Sequence, residues 1–204
     1  MAAQPTRVSM KIVPGKRVSI GGMERETAAL VDSIFGLRAP TAGVIEVDGH
    51  DVRDLSLGAL RSRIALVRGA EVFPGCVLDN LRAANSSLTA EEAWEALTRV
   101  GLAATVRSLP EGLQTPILRD GSPLSRTEVI ALTIARALAG KPSLLILDRT
   151  LDRIDPRAAA RIADSLSAGL ESALLIVSED SSVQARMDRH IEISEPISQE
   201  GEAA

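Results

Sequence analysis

Two short and fully apolar segments near the end of the chain constrain its fold most strongly. Leu144–Leu147 and Ala173–Val177 contain no polar residue, and each is only strand-sized. Strands that are buried on both faces of a parallel sheet have this composition, because helices cover the sheet on both sides. A helical pattern that starts at Ser125 precedes the first segment, and another that starts at Asp155-Pro156 separates the two. The alternation predicts an α/β fold with a mostly parallel sheet flanked by helices.

The first part of the chain shows the same alternation. Val8–Val13 and Arg17–Ile20 contain Val and Ile and are joined by Pro14-Gly15, which predicts a hairpin. Gly21-Gly22 follows, and apolar residues then recur on one face of a helix predicted over Thr27–Leu37.

The middle of the chain has a different character. From Val77 to about Arg107 the pattern is helical with few strand formers, and Thr89 followed by Glu92 has the spacing of a capping box. This predicts an all-helical insertion in the α/β fold. The polar and acidic end of the chain predicts a disordered tail. The regions are therefore an α/β core at 1–69 and 140–193, a helical subdomain at 70–139, and a tail at 194–204.

Composition excludes several classes of function. Acidic residues outnumber basic ones, 27 to 23, and no basic stripe stands out, so we expect no binding to nucleic acid. One Cys and two His exclude an intrachain disulfide and disfavour a zinc site. No apolar run approaches the roughly 18–20 residues that span a bilayer. No leader opens the chain, so we expect it to be cytosolic.

The order of the later segments resembles a known family. A Gly-Gly pair after a strand opens a helix, and three segments follow far downstream: PLSRTEVIALTIARAL, PSLLILDRTLDRIDP and ALLIVSED. Together they resemble the nucleotide-binding domain of an ATP-binding-cassette (ABC) transporter. The stretches GVIEVDGHDVRDLSLGALRSRIALV and RSLPEGLQTPILRDGSPLS resemble the exporter branch. The resemblance implies a P-loop NTPase-like fold, with a RecA-like core and the signature region in the helical subdomain.

The phosphate loop departs from the family pattern. In the family its glycines let backbone N–H groups approach phosphate, a Lys neutralises the phosphate, and a hydroxyl binds Mg²⁺. Here Gly21 matches the first glycine, but Glu24 and Glu26 stand at the inner glycines. Thr27 stands at the Lys position and Ala28 at the hydroxyl position.

The other motifs depart in the same direction. Gly69 stands where the family has a Gln, Arg149 where it has the general-base Glu, and Glu179 where it has the switch His. The signature Leu-Ser-Gly-Gly-Gln has become Leu-Ser-Arg-Thr-Glu at 124–128. The resemblance leaves four family-matching positions for nucleotide, of which Asp148 would also face Mg²⁺: Gly21, Ser125, Asp148 and Asp155.

These losses favour a non-hydrolysing coupling or regulatory module of an exporter-type transporter. The resemblance implies a transmembrane domain as partner, a homodimer or a heterodimer with a second cassette domain, and a place at the cytoplasmic face of the membrane. We expect no cofactor. If the family activity survives, the cofactors would be ATP and Mg²⁺. The helical subdomain would meet the membrane partner, through an apolar pattern that includes Val77, Leu78, Leu81, Leu97 and Leu102.

Two alternatives remain open at this point. The chain could be a working but atypical ATPase, with Arg25 or a partner supplying the missing groups. It could also be a fragment of a longer half-transporter, with a truncated N-terminal subdomain, since no aromatic residue precedes Phe35 to stack on adenine.

The altered loop also predicts an internal ion network. Carboxylates at the start of a helix have the right sign to satisfy its free N–H groups. Loops after neighbouring parallel strands meet at one edge of a sheet. We therefore expect Glu24, Glu26, Arg149 and Glu179 to fill the old nucleotide site, with Arg25 near Asp148 or Glu179 as a further pair.

Overall fold

The computed structural model describes residues 13–40, 43–47, 50–168 and 170–193. These residues form strands of two to six residues. In chain order the strands are β1 (Arg17–Gly22), β2 (Glu46–Val47), β3 (His50–Asp51), β4 (Ile64–Val67), β5 (Gly75–Cys76), β6 (Pro116–Ile117), β7 (Leu144–Asp148), β8 (Ala173–Val177) and β9 (Arg189–Ile193).

Five of these strands form the central sheet, in the order β4-β7-β8-β1-β9. All neighbours in this sheet are parallel, which confirms the predicted α/β class. β7 and β8 are buried along their whole length, as their apolar sequences predict. Because the strands are parallel, the loops that follow them gather at one edge, which we call the carboxyl edge.

Helices connect the strands and cover the sheet. They are α1 (Glu24–Ile34), α2 (Leu57–Arg61), α3 (Val77–Arg82), α4 (Ala90–Arg99), α5 (Ala103–Ser108), α6 (Arg126–Ala139), α7 (Pro156–Ser167) and α8 (Ser181–Gln184). The predicted capping box of α4 is confirmed, because Thr89 and Glu92 cap each other. Asp155 and Pro156 begin α7 as predicted.

Buried apolar side chains form two clusters, one on each face of the sheet. The larger cluster joins Leu145 and Leu147 of β7 to the helices α3–α7. The smaller cluster joins Ile146 of β7 to Ile20 and to α1. The helical insertion therefore shares its core with one face of the sheet. Its predicted contact residues are part of that core: Val77, Leu78, Leu81, Leu97 and Leu102 are at most 6% exposed and are not available to a partner.

Four expectations need correction or lie outside the described residues. α1 begins at Glu24, three residues before the predicted start at Thr27, because Met23 O accepts the N–H groups of both Glu26 and Thr27. The prediction of an all-helical middle was wrong, since β5 and β6 pair antiparallel. This pairing connects the residues before α3 to the segment before α6. The predicted strand before Val13 and the tail at 194–204 lie outside the described residues.

None of the helices in the described ranges combines the length and apolar character needed to cross a bilayer.

Candidate functional site

The candidate site lies at the carboxyl edge, where the residues that follow four strands converge. Gly22 ends β1, Arg68 follows β4, Arg149 follows β7, and Glu179 lies two residues beyond β8. Sheets of this type place their binding and catalytic groups at this edge. Their polar groups form two sets: Arg68 binds Asp148 and Asp32, and Arg149 and Glu179 bind Gly22 and each other.

The joint between β1 and α1 is a single residue. Only Met23 separates the strand from the helix, so the first helical turn follows the strand directly. Thr27, at the Lys position, lies inside this turn and is fully buried. Its hydroxyl donates to Met23 O and Glu24 O, both at 3.2 Å, and so faces its own helix.

Two glycines at the end of β1 lie against groups of β9. A Cβ on Gly21 would only displace the flexible carboxylate end of Glu192. A Cβ on Gly22 would overlap the backbone carbonyl of Ile193, and Gly22 also has a φ of +121°. Gly22 is therefore the position at which the backbone of β9 requires a glycine.

Arg149 and Glu179 together satisfy the backbone at the end of β1. The Arg149 guanidinium donates to Gly22 O at 2.9 Å, and the Gly22 N–H donates to Glu179 Oε1 at 3.1 Å. The two side chains are themselves 3.4 Å apart. Arg149 has a φ of +49°, and its N–H donates to Val177 O at 3.0 Å, which holds the residue against β8.

Glu24 and Glu26 do not join this network. Neither carboxylate forms an ion pair with a described residue; the group of this first turn that reaches Arg149 is the Thr27 hydroxyl, 3.5 Å from its guanidinium. Glu24 is exposed, whereas Oε2 of Glu26 is buried without a hydrogen-bond partner. The expected grouping of four residues is thus corrected to the pair Arg149–Glu179 with the backbone of Gly22.

Asp148 is bound by a guanidinium that the sequence analysis did not identify. Arg68 Nε donates to Asp148 Oδ2 at 2.8 Å, and Arg68 Nη2 donates to Asp32 Oδ1 at 2.6 Å. Asp148 is only 8% exposed, so its charge requires a partner. Burial opposes the charge of Arg68, but the bonds to Asp32 and Asp148 raise its pKa overall. Arg25, the base expected near Asp148, is exposed and makes no ion pair with a described residue.

The remaining two candidate residues act as helix caps. The Ser125 hydroxyl accepts from Glu128 N, and Glu128 caps Ser125 in return. Asp155 Oδ1 accepts from the backbone of Arg157 at 2.9 Å and of Ala158 at 3.2 Å. Both side chains therefore serve as N-caps, Ser125 of α6 and Asp155 of α7.

Comparison with known proteins identifies the family. The model of the family described as ABC transporter matches residues 6–151, well over half of the chain. The chain belongs to this family. A bacterial Atm1-family ABC exporter solved with ATP bound shares the domain fold, with a TM-score of 0.81 and 22% identity over 92% of this chain and 34% of that one. This likeness extends to the P-loop NTPase-like sheet and its helical insertion.

Relatives in the ABC family are moderately similar in sequence. The mitochondrial potassium channel ATP-binding subunit of Rattus norvegicus is 31% identical over 186 residues, covering 87% of this chain and 26% of the relative. An uncharacterised ABC transporter ATP-binding protein of Bacillus subtilis is 30% identical, covering 78% and 27%. A fatty acid ABC transporter ATP-binding/permease protein of Mycobacterium tuberculosis is 32% identical, covering 74% and 24%. The chain thus spans about a quarter of the length of these relatives.

The nucleotide and Mg²⁺ that the ABC family implies do not fit this arrangement. The carboxylate that would face the metal, Asp148, is bound to Arg68, and the hydroxyl position is Ala28. Across the described ranges, no three His, Cys, Asp or Glu side chains group as a metal site would require. A triphosphate at the start of α1 would meet Glu24 and Glu26 in place of a lysine.

Proposed function

We propose that this chain is a non-hydrolysing domain of an exporter-type ABC transporter, in which its own side chains replace nucleotide. The observation that carries the proposal is the bridge from Arg68 to Asp148 and Asp32. Arg68 supplies the positive charge that a bound metal would otherwise supply to Asp148. The Arg149–Glu179 pair in turn supplies a hydrogen-bond donor and an acceptor to the backbone of Gly22 at the end of β1.

The expected loss of nucleotide affinity follows from the missing groups. The Lys and the Mg²⁺ hydroxyl would each make a charge-assisted contact, and each such contact contributes about 1.5–3 kcal/mol. The two losses together weaken binding by roughly two to four decades. Nucleotide would also have to displace Arg68 from Asp148, which adds a further cost.

Hydrolysis is disfavoured separately from binding. Arg149 occupies the position of the general base and cannot accept a proton near neutral pH. Loss of a general base alone slows a reaction by about 10²–10⁴. The guanidinium is instead held by Gly22 O and Glu179 as a structural cation.

A role in protein contact is supported by the segment Glu71–Phe73, which is fixed by hydrogen bonds and carries an exposed aromatic side chain. Thr133 of α6 binds both the N–H and the C=O of Glu71, and Asn80 of α3 binds both backbone groups of Phe73. The Phe73 ring is 47% exposed, and the guanidinium of Arg136 lies 4.6 Å from its centroid. In the proposed transporter, this face meets the membrane domain at the cytoplasmic side.

An ATPase assay on the purified chain tests the proposal. We expect phosphate release from Mg²⁺-ATP to equal that of buffer, because the general base and the lysine are absent. The Asp148→Asn variant is the matched control, since it removes the only family-matching metal ligand. Turnover by the parent chain that Asp148→Asn abolishes would instead establish an atypical but active ATPase.

A further inference from the structure

Strand β9 forms a lateral edge of the central sheet. It lies last in the sheet order, and among the described elements its strand neighbour is β1, on one side. An edge strand leaves a row of backbone N–H and C=O groups open for pairing with another chain. Natural edges are commonly blocked by Pro, Lys or a bulge. The β9 sequence RHIEI contains neither residue, and its register with β1 runs without interruption.

Alternate residues of β1 direct their backbone groups to opposite neighbours. Ile20 O accepts from Ser178 N, directly after β8, at 3.1 Å, so the backbone of Ile20 faces β8. Successive residues of a strand point their N–H and C=O groups to opposite sides. The backbone of Ser19 therefore faces β9.

The outward backbone groups of β9 then belong to His190 and Glu192. Ser19 is the register partner of His190. In a parallel pair, the backbone of Ser19 bonds to the residues on either side of that partner, which are Arg189 and Ile191. The N–H and C=O groups of His190 and Glu192 consequently point away from β1, to a side where the described ranges place no strand.

The side chains of the same two residues form a polar row on one face of the strand. His190 Nδ1 lies 3.0 Å from Ser19 Oγ, and His190 Nε2 lies 3.2 Å from Glu192 Oε2. Ser19 is fully buried, so its hydroxyl holds one side of the imidazole ring in place. The Glu192 side chain is 60% exposed. The edge thus presents an imidazole and then, two residues later, a carboxylate.

This order of side chains is self-complementary in an antiparallel pair. When a second β9 runs antiparallel with Ile191 opposite Ile191, His190 of each strand lies opposite Glu192 of the other. These are also the residues whose backbone faces outward, so each such pair can exchange both of its N–H···O=C bonds. A register shifted by two residues places carboxylate opposite carboxylate or imidazole opposite imidazole, and like charges directly opposite are destabilising.

We propose that two copies of this chain associate through β9, with Ile191 at a two-fold axis and His190 of each copy opposite Glu192 of the other. The pairing joins two five-stranded sheets into one continuous sheet. A second copy fits this edge because the complementarity arises when the β9 sequence pairs with itself in reverse, and a two-fold axis then forms the same contact twice. The contact lies away from the carboxyl edge, and it depends on neither nucleotide nor its absence.

Sedimentation velocity with charge-swap variants tests this pairing. The parent chain should dimerise at neutral pH with a dissociation constant at or below about 100 µM. His190→Glu places carboxylates opposite one another, and Glu192→Arg removes the carboxylates that face His190, so each should weaken dimerisation at least about tenfold. The combined His190→Glu/Glu192→Arg chain again pairs opposite charges and should recover the dimer. His50→Glu is the matched control, since His50 is an exposed histidine of β3, outside the central sheet, and this variant should dimerise like the parent.

Amide hydrogen exchange of the parent chain locates the contact. The N–H groups of His190 and Glu192 should exchange rapidly in dilute samples and slowly above the dissociation constant, whereas that of Ile191, which faces β1, should exchange slowly in both.

Three results would overturn the pairing: a parent chain that stays monomeric at the highest concentration, a dimer in which the His190 and Glu192 amides still exchange rapidly, or a double swap that fails to restore the dimer. Slow exchange of both amides in the monomer would overturn it as well, because another segment of the same chain would then cover the edge. None of these outcomes bears on the ATPase assay, so a failure here is distinguishable from a failure of the proposed function.

Discussion

Replacing Gly22 with alanine should destabilise the domain by about 3 kcal/mol, one of the largest effects expected from a single methyl group here. Gly22 has a φ of +121°, a conformation that residues with a side chain rarely adopt. The added Cβ would also overlap the backbone carbonyl of Ile193 in the paired strand β9. Since one obstacle is a backbone dihedral angle and the other is a backbone atom, no side-chain movement relieves either of them.

Urea unfolding measures this effect, with Gly69→Ala as the control. Gly69 lies at the same edge, has no positive φ, and has no atom near the position of its missing Cβ. Alanine at position 69 should change the free energy of unfolding by no more than about 1 kcal/mol. Equal effects of the two substitutions would mean that β1 and β9 do not pair in the register described.

Replacing Arg68 with methionine should destabilise the domain by about 1–3 kcal/mol. The substitution keeps much of the apolar stem but leaves Asp148 and Asp32 without their shared cation. This loss of stability is smaller than that from breaking a fully buried pair, because the Arg68 side chain is 40% exposed and therefore partly screened by water.

A double-mutant cycle isolates the contribution of the Arg68–Asp148 contact. Asp148→Asn in the Arg68→Met background should cost much less than Asp148→Asn alone, because the ion pair is already lost. Arg53→Met is the control, since the one described residue to which Arg53 bonds is Asp51, two positions away, and the Arg53 side chain is 49% exposed. An Arg68→Met chain as stable as Arg53→Met, with additive effects in the cycle, would show that the bridge does not hold the edge together.

The fold could be predicted from sequence because its signals are local. The uninterrupted apolar runs of β7 and β8 are typical of parallel strands covered on both faces. The caps at Thr89 and Asp155 need only residues within three positions of each other. Arg149 and Glu179 follow adjacent strands, so topology alone brings them to one edge, and the structure has them 3.4 Å apart.

The remaining features of the site depend on distant parts of the chain. Arg68 and Asp148 are 80 positions apart, and only the pairing of β4 with β7 brings them together. The requirement for Gly22 arises from its register partner Ile193 at the far end of the described chain. The positions of Glu24 and Glu26 depend on the residue at which α1 begins, and helix boundaries are the least certain feature of a sequence-based prediction.

Titration of the purified chain with Mg²⁺-ATP in a calorimeter tests the central claim most directly, namely that the chain's own arginines occupy the nucleotide site. With the Lys and hydroxyl positions lost and Asp148 held by Arg68, the dissociation constant should be no tighter than about 1 mM. The titration should then show no saturable heat below that concentration. A dissociation constant near 10 µM that Asp148→Asn weakens would contradict the claim, since binding of that strength needs the contacts that Arg68 blocks.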